Sequence, residues 1–406
     1  REPGSATAGP LTRATMPGMD FTFPAEITAL RAAFADFLDR EIRPLDDQLV
    51  AEYESITADS AKVHAVMDEA RMRSVAAGFY AAHMPESVGG QGLSTLGMTA
   101  LVEDAARSGS RMAMAAISPP NPAGPSSLLL KLPEHLIEQW VRPVVLGTKT
   151  ACFALTEPEA GSDAQAIRTR ATKDGDGWRI NGHKHYITNA AHADFCVVFA
   201  VTDPEKRAAG GITAFLVPAD QYRRGPVQYN ISDTHPGELF FEDSWVGDDH
   251  VIGEVGLGFF AAMEFLNAGR AFIGAQALGL AEFCLDQAVL HAQTRTAFGK
   301  PLAAFQGASF PLARSKVDIE AMRWLVYHLA WAVDEGQQPM LDASIVKYYS
   351  TEQAYQVADR CLQVFGGMGL MKSGPIERVL RHLRMLRVVE GASEVQLLVI
   401  SRVLTA

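Results

Sequence analysis

The spacing of apolar residues changes twice along this chain, and those two changes limit the fold more than any other feature. From Pro24 to about Trp140, apolar residues recur at every third or fourth position, which is the spacing of one buried helix face. From about Thr148 to Ile252 short β-rich runs replace that spacing, and helical spacing resumes after Gly258. The pattern therefore predicts a helical domain, a small β domain and a second helical domain.

The predicted elements are short in the middle of the chain and long at its end. Residues 171–180 predict two strands around an Asp-Gly turn, and 195–201 and 212–217 predict two more strands. Long helical segments are expected at 258–293, 305–335, 341–364, 375–387 and 393–404. Helices of this length joined by short turns predict an antiparallel four-helix bundle. The predicted fold class is mainly α with a central β domain, built as a small barrel or sheet.

Four segments follow from these patterns. Residues 1–19 are rich in Gly, Ala, Thr and Pro without periodicity, and we interpret them as a tag or disordered leader. The N-terminal helical domain is placed at 20–147, the middle β domain at 148–255 and the C-terminal helical bundle at 256–406. Within the first domain, four prolines deny a continuous helix to residues 118–125.

Charge and cysteine usage exclude several kinds of partner. The net charge of -11 and the pI near 5.5 provide no basic field for nucleic acid or an anionic membrane surface. No uninterrupted apolar run approaches the roughly 18 residues that span a bilayer. The four cysteines lie far apart in sequence without metal-ligand spacing, so we expect buried thiols in a reducing compartment. We expect a cytoplasmic protein, with the mitochondrial matrix as the alternative.

Several familiar motifs are incomplete or missing. The glycines at 256–258 and 366–369 lack the strand, turn and helix setting of a dinucleotide-binding fingerprint. The sequence contains no Walker A motif, no G-x-S-x-G and no H-E-x-x-H. Its eleven histidines are scattered, and a lone histidine is more often a surface or core residue than a ligand. Phosphoryl transfer, hydrolysis and a metal centre are therefore disfavoured.

Five motifs follow one another from the middle of the chain to its end. They are ALTEPEAGSD at 154–163, INGHKHYITN at 180–189, RTAFGKP at 295–301 with Gln306, QVFGG at 363–367 and VEGASE at 389–394. In this order they resemble the acyl-CoA dehydrogenase family, and the similarity runs from about residue 22 to the C-terminus. The resemblance implies a flavin-dependent dehydrogenase that acts on acyl thioesters.

The resemblance implies FAD contacts in both the β domain and the bundle. Taken alone, the first motif fits a polar turn in a sheet, and Arg295 fits a solvated helix end. Tyr186 stands where members of the family have an aromatic residue that packs against the flavin. Arg295 stands where they have an arginine that binds phosphate oxygens of the FAD in a neighbouring subunit. The resemblance also implies a homotetramer built from dimers. The implied contacts are Phe153, Leu155, Thr156, Gly161, Ser162, Tyr186, Thr188, Arg295, Phe298, Gln306, Gln363, Gly366, Gly367, Ala392 and Glu394.

Glu390 is the implied catalytic base. Alone, a glutamate before a helix commonly interacts only with the helix dipole. In the family this residue removes the proton α to the thioester while FAD N5 accepts the β-hydride, and its N–H and a ribityl hydroxyl bind the thioester oxygen. Some relatives carry the base directly before Arg270, where this chain has Gly269. The implied substrate contacts are Ser162, Asn267, Arg270, Val389 and Gly391.

Three departures from the family pattern concern the substrate. Val389 stands where an aromatic residue is common, and Ala392 replaces a frequent threonine. The proline-rich segment 118–125 falls where a regular helix usually lines the acyl pocket. From the Val389 and proline changes we expect a branched, cyclic or otherwise non-linear acyl chain.

The implied partners are an acyl-CoA and an electron-transfer flavoprotein that receives the electrons. A flavin oxidase or monooxygenase using O2 is one alternative on the same fold, although Glu390 argues against it because such relatives often lack the base. A dehydrogenase acting on an acyl carrier protein is a second alternative. A helical scaffold without flavin is a third.

Overall fold

The computed structural model describes residues 22–49, 61–118, 124–232 and 235–405. Helices form the first part of the chain, and short π-helical turns at Leu38–Ile42 and Ile137–Val141 interrupt them. The helices are α1 Ala25–Phe37, α2 Arg43–Asp47, α3 Ala61–Ala77, α4 Thr95–Arg107, α5 Ala113–Ile117, α6 Glu134–Leu136 and α7 Arg142–Val145.

A seven-stranded sheet forms the middle of the molecule. Its strands are β1 Ala151–Ala154, β2 Arg170–Asp174, β3 Gly177–Ile187, β4 Phe195–Val201, β5 Ile212–Pro218, β6 Arg223–Val227 and β7 Gly237–Gly247. They are ordered β1-β4-β2-β3-β7-β6, and β5 pairs with β4. Every residue of β4 is buried, which explains its unbroken apolar sequence. The strands predicted at 171–180, 195–201 and 212–217 are confirmed.

Five helices follow the sheet and pack as a bundle. They are α8 Gly258–Thr294, α9 Gln306–Asp334, α10 Met340–Phe365, α11 Glu377–Leu386 and α12 Ser393–Thr405, with a hairpin of β8 Thr296–Ala297 and β9 Lys300–Pro301 after α8. Helix α8 lies against α4, α9 and α10. At Gly274 a Cβ atom would lie 2.6 Å from Val346, so α8 and α10 approach closely. The order helical, β, helical confirms the predicted fold class.

Helix α8 is long and apolar enough to cross a membrane by length and composition. The most apolar 18-residue stretch has a mean hydropathy of 1.2, although no uninterrupted apolar run in the sequence is that long. Within the protein, 67% of that stretch is buried. Its apolar character is therefore that of the core helix of a bundle.

All four cysteines are buried free thiols, as predicted. Although they are distant in sequence, Cys152 and Cys196 are register partners on the parallel strands β1 and β4. Two other predictions fall outside the described residues. These are the leader at 1–19 and most of the proline-rich segment, whose residues 119–123 are not described.

Candidate active site

Glu390 lies in a tight turn between α11 and α12, and its backbone is in the left-handed region. Its φ is 53°, and that of the following Gly391 is 94°. A glutamate in this region costs about 1–3 kcal/mol, so the conformation persists only where surrounding contacts impose it. The turn is therefore a constrained part of the bundle.

Four residues, which we call the base-loop clamp, close this turn. The carbonyl of Arg387 accepts hydrogen bonds from the Ser393 N–H (3.1 Å) and the Lys347 ammonium (3.2 Å). Glu352 on α10 accepts from the Arg387 guanidinium (2.8 Å) and the Ser393 hydroxyl (2.5 Å). Burial raises the pKa of Glu352, but these two donors outweigh that effect and leave it below its usual value. The clamp fixes both ends of the segment that carries Glu390.

The carboxyl group of Glu390 is enclosed by protein, although the residue as a whole is half-buried. Desolvation raises its pKa from 4.5 to about 7, and the cations of Lys347 and Arg270 oppose that rise. Lys347 is buried, and desolvation lowers its pKa to about 8, with Glu390 opposing. A carboxyl and an ammonium group that titrate this close to neutrality are suited to proton transfer.

Arg270 on α8 is the second cation beside Glu390. Its Nη1 donates to Asn267 Oδ1 (2.7 Å) and to Ser344 Oγ (3.3 Å). Its Nε is buried without a hydrogen-bond acceptor in the described part of the chain. Burial also lowers the pKa of Arg270, with Glu390 opposing. The unused donor suits a polar or anionic group of a bound molecule. The preceding Gly269 offers no second carboxylate there.

Gly391 packs against Gln396, whereas the neighbouring backbone N–H of Glu390 has no acceptor among the described residues. Gln396 Nε2 donates to the Gly391 carbonyl (3.0 Å), and a Cβ atom on Gly391 would lie 2.5 Å from the same nitrogen. Only glycine fits without displacing Gln396. Among the hydrogen bonds of the described residues, none uses the N–H of Glu390. That donor is available to an oxygen atom of a ligand.

Lys347 and Glu352 were absent from the predicted site. Lys347 lies on the buried face of α10 together with Ala343, Val346 and Ser350. A lysine at a buried helical position is rare unless it is paired. A lysine at a position where the helical spacing predicts an apolar residue is a signal that could have identified Lys347 from the sequence. Glu352 carried no such signal, because its partners come from a later segment of the chain.

Tyr186 lies at a β-bulge near the end of β3. The β3–β7 ladder is irregular between Lys184 and Ile187, and Tyr186 has a φ of 57°. A bulge redirects a side chain away from the regular alternation of a strand. The Tyr186 side chain is 64% exposed. Its aromatic face is therefore open to contact, and that it stacks against a flavin stays a prediction.

A buried ion pair fixes the first motif beside the strand that carries Tyr186. Lys184 Nζ contacts Glu157 Oε1 at 2.8 Å, and the N–H of His185 donates to the Thr156 carbonyl at 2.9 Å. Desolvation lowers the pKa of Lys184 to about 8, with Glu157 opposing. Thr156 is thereby held next to β3.

The other predicted contacts in the β domain differ in exposure. Gly161, Ser162 and Thr188 are exposed, and nothing lies near the position of a Cβ on Gly161. Phe153 is half-buried against a neighbouring phenylalanine, with ring centroids 4.7 Å apart. Leu155 is buried in the core, so only its backbone can reach a ligand.

Another group of predicted contacts lies at one end of the bundle. Phe298, at the tip of the β8–β9 hairpin, has a φ of 50° and is 95% exposed. Gly366 follows α10 with a φ of 58° and open space around its Cβ position. The rings of His291 and Phe365 stack at 4.3 Å and hold the ends of α8 and α10 together. The residues Arg295, Gln306, Gln363 and Gly367 are also exposed.

Within one chain the predicted residues form three groups rather than one site. The segment after β6 contacts α11, the helix that precedes the Glu390 turn, where Arg381 Nη1 donates to the Ile231 carbonyl at 2.8 Å. Val389 and Ala392 are half-buried in the turn, and Glu394 is exposed at the start of α12. Arg295 follows the end of α8, 25 residues after Arg270 (295 − 270 = 25), so at 1.5 Å per residue the bundle-end group lies roughly 37 Å along the helix from the cation beside Glu390. The groups offer an aromatic face, hydroxyls, a guanidinium and open glycine turns, which fit the parts of an FAD.

Three family models match nearly all of the described chain. They are the N-terminal domain of acyl-CoA dehydrogenases at residues 24–148, the middle domain at 152–244 and the C-terminal domain at 256–405. Together they cover the helical, β and helical parts of the fold.

Several named relatives match over most of their length. A 3-(aryl)acrylate reductase of Clostridium sporogenes is 35% identical over 387 residues, which is 94% of this chain and 99% of that protein. The caffeyl-CoA reductase-Etf complex subunit CarC of Acetobacterium woodii is 35% identical over 336 residues, 80% of this chain and 87% of that protein. The mitochondrial short-chain specific acyl-CoA dehydrogenase of Bos taurus is 35% identical over 376 residues, which is 92% of this chain and 88% of that protein.

A solved structure has the same arrangement. The butyryl-CoA dehydrogenase of Megasphaera elsdenii superposes with a TM-score of 0.83 at 32% identity, covering 96% of this chain and all of that one.

Proposed function

The chain belongs to the acyl-CoA dehydrogenase family of FAD-dependent oxidoreductases, and we propose that it converts an acyl-CoA to the trans-2-enoyl thioester. The resemblance drawn from the five motifs is thereby confirmed. The observation that carries the proposed reaction is the Glu390 carboxyl group. It is enclosed, it titrates near pH 7, and a constrained turn holds it beside two cations.

Glu390 takes the proton from the carbon next to the thioester carbonyl. Lys347 and Arg270 favour the ionised form of Glu390. At neutral pH a fraction of the protein molecules therefore carries a carboxylate there despite burial. The Glu390 N–H, which has no acceptor in the described chain, donates to the thioester oxygen as negative charge develops there. The base-loop clamp keeps the carboxylate in one position, which lowers the entropic barrier to the proton transfer.

FAD, when bound, supplies the acceptor for the hydride that leaves the β-carbon. We assign Tyr186, Thr188 and Ser162 to the flavin ring of the same chain. The exposed Arg295 and Phe298, with the other bundle-end residues, are assigned to the FAD of a neighbouring subunit. Their separation from Glu390 within one chain and the 95% exposure of Phe298 support that assignment. A homotetramer built from dimers would bring the groups together.

The acyl group is proposed to be branched, cyclic or aryl-substituted. Val389 is half-buried directly before the base, where a larger aromatic residue would take up more space. The names of two relatives, a 3-(aryl)acrylate reductase and a caffeyl-CoA reductase subunit, point to aryl substrates.

The reverse reaction, reduction of an enoyl thioester, is the second candidate. Those two relatives are named as reductases. Because Glu390 titrates near pH 7, its protonated form is also available to return a proton to the α-carbon. We propose an electron-transfer flavoprotein as the electron partner in either direction, supported by the Etf complex to which the caffeyl-CoA reductase subunit belongs. The cytoplasm is the proposed location.

A panel of acyl thioesters tests the proposed function. The flavin-loaded protein is mixed without oxygen with linear, methyl-branched and 3-arylpropionyl CoA esters, and with acyl carrier protein thioesters of the same acids. We expect flavin bleaching and loss of two hydrogens, fastest with a branched or aryl CoA ester. Best turnover with linear chains would overturn the substrate assignment, and no bleaching by any thioester would overturn the reaction.

Two further measurements separate the alternatives. In the first, the chemically reduced enzyme is mixed with enoyl thioesters. If it reduces them much faster than the oxidised enzyme dehydrogenates acyl thioesters, the reductase function is favoured. Rapid reoxidation of the reduced enzyme by air would favour an oxidase.

A further inference from the structure

A cluster of two histidines and a glutamate lies in the sheet, apart from the Glu390 turn. It consists of His183 and His185 on β3 and Glu238 on β7, and one ligand atom from each lies within 4.8 Å of the others. The three side chains are 35%, 18% and 16% exposed, so the cluster is sheltered but reachable from solvent. None of the three was predicted as a site residue.

The strand geometry explains why these side chains converge. Residues 183 and 185 are two positions apart, so their side chains project from the same face of β3. Lys184 between them points to the opposite face, where its ammonium pairs with Glu157. Strand β7 is antiparallel to β3 and places Glu238 beside both rings. Stacking on Phe240, with centroids 4.3 Å apart, fixes the His183 ring.

The distances within the cluster are close to those of a metal site. His183 Nε2 lies 3.1 Å from Glu238 Oε2, and His185 Nδ1 lies 3.5 Å from Glu238 Oε1. Ligand atoms bound tetrahedrally at about 2.0–2.1 Å from Zn²⁺ are about 3.4 Å apart. Only small side-chain shifts are therefore needed to place one ion between the three groups.

Unsatisfied polar atoms in and beside the cluster give a second indication. His185 Nδ1 is buried and makes no hydrogen bond in the described chain beyond its 3.5 Å ion-pair contact with Glu238 Oε1, and the Oε1 atom of Gln228 is buried without a hydrogen-bond partner there. Buried polar atoms without partners are uncommon and often mark a missing ion or water. Gln228 Nε2 also donates to Glu238 Oε1 at 2.8 Å, which is the kind of outer contact that orients a ligating carboxylate.

From this geometry we infer that His183, His185 and Glu238 bind one divalent transition-metal ion of the Zn²⁺ class. Two imidazoles and a carboxylate are ligands that this class of ion prefers, and a water molecule completes the coordination. The ion cross-links β3 and β7 directly before the bulge at Tyr186, whose ring lies 4.0 Å from that of His185. The site is thus structural for the β domain, and the ion takes no part in the proton and hydride transfer proposed above.

Cobalt binding tests the site in the intact flavin-loaded protein. The protein is treated with a chelator, dialysed and titrated with Co²⁺, whose visible bands in tetrahedral sites lie at longer wavelength than the flavin absorption. We expect saturation at one Co²⁺ per chain, displacement of Co²⁺ by Zn²⁺, and a higher melting temperature with either ion.

Four variants locate the ion. Losing an outer contact alone commonly weakens metal binding about 10- to 100-fold, so His183→Ala, His185→Ala and Glu238→Gln should each weaken it at least about 10-fold. The Gln variant keeps the size of Glu238 and guards against a fold defect, which flavin content and circular dichroism report. His250→Ala is the matched control, because His250 belongs to the same domain but follows the far end of β7, where it contacts Asp249.

Three results would overturn the inference. The first is wild-type protein that binds no stoichiometric Co²⁺ or Zn²⁺. The second is a set of cluster variants that bind the ion as tightly as wild type. The third is a loss of binding in His250→Ala, which would place the ion elsewhere.

Discussion

Replacing Glu390 by glutamine should stabilise the protein, and the gain should depend on pH. The pKa of this carboxyl is raised from 4.5 to about 7 in the folded protein. Between these values the folded protein therefore binds more protons than the unfolded chain, so folding stability falls as pH rises through this window. At about 1.4 kcal/mol per pKa unit, the ionised carboxylate costs about 3 kcal/mol above pH 7. This figure already contains the opposing attraction of Lys347 and Arg270.

Melting temperatures of wild type and Glu390→Gln, measured with excess FAD from about pH 5 to about pH 8.5, test this cost. Glutamine resembles the protonated glutamate and carries no charge at any of these values. Glu390→Gln should be only slightly more stable than wild type at the acidic end of this range, and its stability advantage should be largest above neutral pH. The matched control is Glu335→Gln, which removes an exposed carboxylate directly after α9, outside the predicted site, and should show no such pH-dependent gain. A stability difference that is flat with pH, or that favours wild type at high pH, would refute the reasoning.

Three further predictions concern the same site and the cofactor. Lys347→Met removes a cation that lowers the pKa of Glu390, so the pH at which activity appears should rise by about one pH unit in a pH–rate profile. Gly391→Ala places a Cβ atom against Gln396 at a backbone φ of 94° and should lower the stability of the protein by about 1–3 kcal/mol, measured as a lower melting temperature. Gly92→Ala is the control for backbone strain alone, because Gly92 has a φ of 61° but nothing lies near its Cβ position. Arg295→Ala should weaken FAD retention on dilution and dissociate the oligomer together, as size exclusion and flavin absorbance would record; unchanged retention would contradict a phosphate contact.

Much of the fold could be predicted because hydrophobic spacing is a local property. The unbroken apolar run of β4 and the turn between β2 and β3 were visible in short windows of sequence. Glu390 was identified from a motif of six neighbouring residues. Whether the roles assigned to it and to the flavin contacts are correct stays a prediction.

The features that could not be predicted depend on residues distant in sequence. The contact between Lys347 and Arg387 spans 40 residues, and that between His183 and Glu238 spans 55. Each histidine looked isolated in the sequence, because the register of β3 against β7 decides which carboxylate it meets. The bulge at Tyr186 likewise arises from strand pairing rather than from a turn signal.

The rate of flavin reduction in Glu390→Gln tests the central claim most directly. Wild type, Glu390→Gln and the exposed control Glu335→Gln are mixed without oxygen with the thioester that wild type reduces fastest, and flavin bleaching is followed by stopped flow. If Glu390 is the base, its variant should bind the thioester and lose about 10²–10⁴ in rate, while the control keeps the wild-type rate. Bleaching of Glu390→Gln at the wild-type rate would contradict the account.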